Sequence, residues 1–284
     1  MFTRVASGIV FGVPALLIID FGSPLFEIMV ATASAILAWE WFRMCGGGRP
    51  KLDGIVGVGV LLAAVVCIVL AGIAPAIGVL FAGSLVMMLV IGSGPWLAAG
   101  VLYLGLPCLA LLWLRSEPSS GREIVLWLIG VVWASDIGAY AAGRLIGGPR
   151  LAPKISPNKT WAGLGGGIAL AAAASAALAG AMGDTSVPAS VLIGPALNTT
   201  ALSSAALTGT ALTGAALTGA MLGATAQAGD LAESWVKRRF QVKDTGTLIP
   251  GHGGLLDRVD ALLAVVAVVA VIAAIDKGVL FQWL

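Results

Sequence analysis

Charge is what this 284-residue sequence has least of: 11% of its residues are Asp, Glu, Lys or Arg, against roughly 25% in soluble globular domains. With 59% hydrophobic residues, that shortage excludes an ordinary soluble fold, and the chain reads as an integral membrane protein. A net charge of +2, with no long basic tract, excludes a groove that tracks nucleic-acid phosphates. Cysteine is scarce as well. Cys45, Cys67 and Cys108 lie in or beside apolar runs without CxxC or ligand spacing, a pattern of buried thiols rather than of a disulfide framework or a zinc site. The apolar runs lack the short alternation of barrel strands and approach the ~20 residues that cross a bilayer as a helix. The expected fold is all-α and polytopic.

Apolar periodicity predicts nine helices, at 5–19, 25–42, 54–72, 76–91, 96–114, 123–145, 161–182, 204–228 and 261–281, separated by turn signals such as Gly22-Ser23-Pro24 and Gly46-Gly47-Gly48-Arg49-Pro50. The first run follows Arg4 as a signal peptide would, but no clear cleavage site follows it, so it reads as a retained helix. Nine crossings place thirteen of the sixteen basic residues on one face and only Arg115, Arg122 and Lys277 on the other. By the positive-inside rule the N-terminus is then cytoplasmic and the C-terminus external. An ALTG unit recurs in steps of five between Ala206 and Gly219. Its copies spiral around a helix rather than share a face, and its small residues suit close backbone packing in lipid.

The scarce charge is concentrated. Residues 229–260 hold Asp230, Glu233, Asp244, Asp257 and Asp260 beside Lys237, Arg238, Arg239, Lys243 and Arg258, together with the sole histidine, His252, in a Pro-Gly-His-Gly-Gly turn. Interleaved carboxylates and bases next to a glycine-rich turn suit a metal-bound polyphosphate; a solvated loop between two membrane helices is the alternative. Carboxylates this close would repel one another without a metal. His252 has three readings: general base, phosphate donor, or a turn-stabilising side chain.

Two further groups stand out. Asp136, Tyr140 and Arg144 are spaced i, i+4, i+8 on one helix face, which sets Asp136 ~12 Å inside the membrane relative to Arg144. A charge at that depth is either functional or half of a structural ion pair. The loop 150–160 that follows carries Lys154, Ser156, Lys159 and Thr160, which can bind phosphate near a helix N-terminus or simply anchor a cytoplasmic loop.

These residues resemble the phosphatidate cytidylyltransferase (CDP-diacylglycerol synthase) family. Its signature runs Ser, any, apolar, Lys-Arg, four residues, Lys-Asp, any, small, two residues, apolar, Pro or Gly, any, His-Gly-Gly, apolar, any, Asp-Arg, apolar, Asp, and Ser234 through Asp260 fits every specified position. The likeness extends to Asp136, Gly138, Tyr140, Gly143 and Arg144, to the Ser156-Pro157-Asn158-Lys159-Thr160 turn and to Gly229-Asp230-Leu231; the first five helices match only in character. One departure is Ala162, where the family commonly has Glu.

The resemblance implies transfer of CMP from CTP to phosphatidate in the bilayer, with Mg²⁺ and room for a second cation. On that reading Asp230, Asp257 and Asp260 are metal-ligand candidates, with Asp136 secondary. Lys237, Arg238, Lys243, Arg258 and Lys159 hold phosphates, and His252, Gly253 and Gly254 shape the pyrophosphate side. Tyr140, Arg144, Ser156, Thr160, Ser234 and Asp244 complete the expected substrate contacts. Residues 1–284 read as one integral membrane domain, 1–120 supplying N-terminal helices and 121–284 the catalytic helices and loops. The expected setting is a bacterial-type inner membrane with the site facing the cytoplasm, and a homodimer is an assembly the reading allows. The rivals are a cytidylyltransferase acting on another lipid phosphate, and an ion-coupled transporter using Asp136; the latter calls for an inverted repeat that the halves do not display.

Overall fold

A computed structural model of the chain describes residues 2–46, 50–92, 94–118, 120–182, 204–248 and 253–276. Among them are nine α-helices: α1 (Phe2–Phe21), α2 (Leu25–Cys45), α3 (Pro50–Ala71), α4 (Ile73–Val86), α5 (Pro95–Arg115), α6 (Gly121–Leu145), α7 (Trp161–Met182), α8 (Ser204–Arg239) and α9 (Leu256–Asp276). A π-helical turn, Met87–Ile91, extends α4. Six helices, α2, α3, α5, α6, α7 and α9, are long and apolar enough to cross a membrane, while α1 and α4 offer shorter apolar stretches, Val10–Phe21 and Ile73–Leu89. The helix carrying the ALTG repeat is not among the six, since its threonines and glycines dilute the apolar residues.

At the charged motif the helices run beyond the apolar spans, 204–228 and 261–281, read from the sequence. α8 continues to Arg239, so Asp230, Ser234 and Lys237 all sit on regular helix, and α9 starts at Leu256, which puts Asp257 and Asp260 inside its first turns. Polar residues weaken an apolarity-based boundary without breaking the hydrogen-bond ladder. The basic loop after α6 is also more ordered than a turn: β1 (Arg150–Ala152) pairs antiparallel with β2 (Ser156–Thr160), with Arg150 opposite Thr160 and Ala152 opposite Ser156.

The chain forms two compact units, one of Met1–Trp113 with Val236–Leu263, the other of Leu114–Trp235 with Ala264–Leu284. In the first, α2 packs on α3 around Phe26, Leu37, Ala38, Trp41 and Phe42, all nearly inaccessible. A Cβ on Gly57 of α3 would overlap the Phe42 ring, so only glycine lets the two helices close here. The Trp41 indole donates to the Trp96 carbonyl at 3.1 Å and lies 5.0 Å from the Tyr103 ring. The Trp96 ring meets Phe240 edge-on at 5.5 Å.

In the second unit α6 and α7 touch backbone to backbone. A Cβ on Gly138 would come within 2.4 Å of the Gly166 carbonyl oxygen, and one on Gly166 within 2.7 Å of the Gly138 oxygen. α8 joins them in the same way: a Cβ on Gly219, within the repeat, would sit 2.6 Å from the Ala171 oxygen. Small residues thus supply the close contact that replaces hydrophobic driving force in lipid. Interhelical hydrogen bonds add to it, from Trp127 to Ser175 at 3.1 Å, from Ser175 to the Ala215 carbonyl at 2.7 Å and from Gln227 to Ser135 at 3.3 Å.

Candidate active site

The second unit carries a cavity of about 610 Å³ lined by Asp136, Tyr140 and Arg144 from α6, Lys159 and Thr160 from β2, and Gln227 and Asp230 from α8, among others. The i, i+4 spacing delivers what it promised: the Arg144 guanidinium donates to the Tyr140 hydroxyl at 2.9 Å. Lys159 reaches across to Asp230, Nζ to Oδ2 at 2.8 Å, and also donates to the Gln227 carbonyl at 3.4 Å. Ser234, one turn along α8, donates to Asp230 Oδ1 at 3.3 Å. Thr160 is buried, and its Oγ1 accepts from the Gly163 amide at 3.0 Å, so it is the N-cap of α7. Lys159 and Thr160, at the end of β2 that leads into α7, both line the cavity; Ser156, at the far end of β2, is not part of its wall. Ala162 lies in the first turn of α7.

The first unit contains a second cluster. Lys237 Nζ lies 2.9 Å from Asp257 Oδ1, and both side chains are largely buried, at 13% and 4% exposure. Asp257 Oδ2 accepts from the Thr245 amide at 2.9 Å, the Thr245 hydroxyl at 3.0 Å and the Gly254 amide at 2.8 Å. One carboxylate therefore fastens Thr245 and Gly254 to the start of α9. Gly253 has φ of +88°, a conformation glycine adopts at no steric cost, and a Cβ there would approach Asp257 Oδ2 to 2.7 Å.

The remaining expected residues are more scattered. Asp260 is buried, and its Oδ1 accepts from its neighbour's amide, Ala261, at 2.8 Å. Lys243, Asp244 and Arg258 are exposed, as is Arg238, which donates to the Val242 carbonyl at 3.4 Å. His252 lies outside the described residues, as do Arg49 and Lys277. Asp230 belongs to one unit, Asp257 and Asp260 to the other.

Among the described residues no three His, Cys, Asp or Glu side chains gather as a metal-binding group. The donors still suit Mg²⁺, which takes hard oxygens and usually relies on one or two carboxylates plus substrate phosphates and water. Asp230 and Asp257 each already face a single ammonium.

One residue of this region escapes motif reading. Glu40 on α2 is only 5% exposed, and its carboxylate accepts from the Leu255 amide at 2.9 Å, the Leu256 amide at 2.8 Å and the Thr245 hydroxyl at 3.3 Å. The available signal was a carboxylate inside an apolar helix, between Trp39 and Trp41, which calls for a partner by the same rule that drew attention to Asp136.

A helical membrane protein that holds two carboxylate–ammonium pairs, Lys159–Asp230 and Lys237–Asp257, has charge placed where an anionic, phosphate-bearing ligand can be met. The chain belongs to the Cytidylyltransferase family, whose model matches residues 2–276. It is 36% identical to the phosphatidate cytidylyltransferase of Brucella suis biovar 1 (strain 1330) over 269 residues, 92% of this chain and 89% of that protein. The protein of the same name from Rickettsia bellii (strain RML369-C) is 35% identical over 168 residues, 59% of this chain and 64% of that one. For the Bacillus subtilis (strain 168) protein the figures are 30% over 168 residues, 59% and 54%.

Proposed function

We infer that this protein transfers CMP from CTP to phosphatidate, releasing pyrophosphate and leaving CDP-diacylglycerol in the membrane. The observation that carries the reading is the family match across residues 2–276 on a chain whose signature segment supplies both members of the buried Lys237–Asp257 pair. In the reaction a phosphatidate phosphate oxygen attacks the α-phosphorus of CTP, the new P–O bond forms, and the bond to the β-phosphate bridging oxygen breaks. Such a displacement asks for in-line placement and charge neutralisation, not for a covalent nucleophile. Lys159, Lys237, Lys243, Arg238 and Arg258 supply positive charge for phosphate oxygens, while Asp136, Tyr140 and Arg144 shape the cavity. Asp230 and Asp257, with Asp260, are the residues that would hold Mg²⁺. When bound, the ion supplies charge neutralisation at the phosphates.

The test is incubation of purified protein with labelled CTP, Mg²⁺ and phosphatidate. A lipid-soluble CDP product that requires phosphatidate is expected; product formed only with a different lipid phosphate would reassign the acceptor. The setting we propose is a bacterial inner membrane crossed nine times, with the N-terminus and the basic loops in the cytoplasm, where CTP is. Support comes from the thirteen-to-three division of basic residues. Reporters fused after Lys154 and after Lys243 should both read as cytoplasmic and one after Ser119 as external. Opposite readings for the first two would remove the single-faced site.

Asp136→Asn should insert normally, because loss of a charge eases burial in the membrane, yet lower activity, because it takes a carboxylate from the cavity wall shared with Lys159 and Arg144. A wild-type rate in this variant would leave Asp136 with a structural role only.

A further inference from the structure

We propose that Glu40 is a positioning residue for nucleotidyl transfer, setting Thr245, Gly254 and through them the Asp257 carboxylate from a helix more than 200 positions away in the chain. The proposal rests on the reaction read above and adds to it a residue outside the signature. Burying a carboxylate in an apolar helix is costly unless it is hydrogen-bonded. Among the described residues, the donors to Glu40 are the Thr245 hydroxyl and the Leu255 and Leu256 amides. Two of them are amides at the start of α9, where backbone N–H groups have no partner within the helix and favour an anion.

Thr245 links this carboxylate to the next. Its hydroxyl lies 3.3 Å from Glu40 Oε2 and 3.0 Å from Asp257 Oδ2, and with one proton to donate it serves one carboxylate at a time. Among the described residues, the donors to Asp257 besides Lys237 are Thr245 and Gly254. Both lie against Glu40: Thr245 through its hydroxyl, and Gly254 so closely that a Cβ there would sit 2.6 Å from Glu40 Oε2. With Glu40 removed, the Leu255 and Leu256 amides lose their acceptor and the Thr245 hydroxyl loses one of its two. Asp257 keeps Lys237, Thr245 and Gly254 as donors, but Thr245 and Gly254 no longer have the Glu40 carboxylate beside them. Glu40 acts through those residues.

The experiment compares purified wild type, Glu40→Gln and Glu40→Ala by steady-state kinetics and by deuterium uptake of peptides covering 244–258. Gln keeps one acceptor oxygen but turns an NH₂ toward the other donors, so kcat should fall about tenfold, and for Ala about a hundredfold. KM for CTP should stay within about threefold, because interactions expressed in the transition state are lost and ground-state binding is kept. Deuterium uptake should rise over 244–258 and stay unchanged over α6 and α7. A role in global stability alone would raise exchange throughout and leave kcat per folded molecule unaltered, which would overturn the proposal. An Ala variant with wild-type kcat, or with unchanged uptake over 244–258, would overturn it as well. Failure of the reaction itself is distinguishable: wild type would then make no lipid-linked CDP, and the catalytic sense of the proposal would fall even if uptake in the turn rose.

Discussion

Asp257→Asn should lower the rate of lipid-linked CDP formation about a hundredfold, equivalent to ~3 kcal/mol of lost transition-state stabilisation. The local geometry explains why an isosteric change is so damaging. One carboxylate oxygen faces the Lys237 ammonium, and the other takes three N–H and O–H donors. An Asn side chain must turn its NH₂ toward one of these sets. Facing Lys237 it presents a donor to a cation; facing Thr245 and Gly254 it presents a donor to donors. Asp257→Glu should fail too, since one added methylene displaces the carboxylate by ~1 Å in a site where such misplacement is costly. The contrasting role is a helix cap for α9, for which Asn is a good substitute; an Asn variant within a few fold of wild type, with the same Mg²⁺ dependence, would establish it. Pairing the change with Lys237→Met separates the two effects. If the pair acts as a unit, the double variant should be little worse than Asp257→Asn alone.

Gly254→Ala should be comparably severe, at about a hundredfold or more in rate. The added Cβ would stand 2.3 Å from Thr245 Oγ1 and 2.6 and 2.7 Å from the two Glu40 oxygens. Side-chain oxygens can often swing aside, but these are held by the amides of Leu255 and Leu256, so making room breaks hydrogen bonds to a charged group, worth ~1.5–3 kcal/mol each. Two of the three overlaps are with Glu40, so combining Gly254→Ala with Glu40→Ala should give a double variant less impaired than the product of the single effects. Strict multiplication of the two would mean that the glycine is required for a reason unrelated to Glu40. Thermal unfolding in detergent, followed in parallel, separates a misplaced turn from loss of folded protein.

The amino-acid sequence by itself determined the solvent, the class and the chemistry. Low charge and long apolar runs require a membrane and helices, because unpaired backbone cannot be left in lipid. The spacing from Ser234 to Asp260 carried the family likeness, and the i, i+4 relation of Tyr140 to Arg144 appears as a hydrogen bond. These features are local, so periodicity and motif order are enough to read them. The close packing of α6, α7 and α8 was legible only as a composition of small residues; which glycines touch depends on how the helices cross, and Gly219 within the repeat acquired a specific contact with Ala171 and Ser175. Tertiary structure alone decided who partners whom: that Lys159 faces Asp230, that Lys237 faces Asp257, and that the loop after α6 is a hairpin with Lys159 on the cavity wall. It alone also brought in Glu40, from a region whose likeness to the family was one of character only. A side chain on α2 and amides at 255 and 256 share no sequence period. Their meeting is set by the packing of the unit that holds them both, and a buried carboxylate accepts whichever backbone donors that packing leaves without a partner.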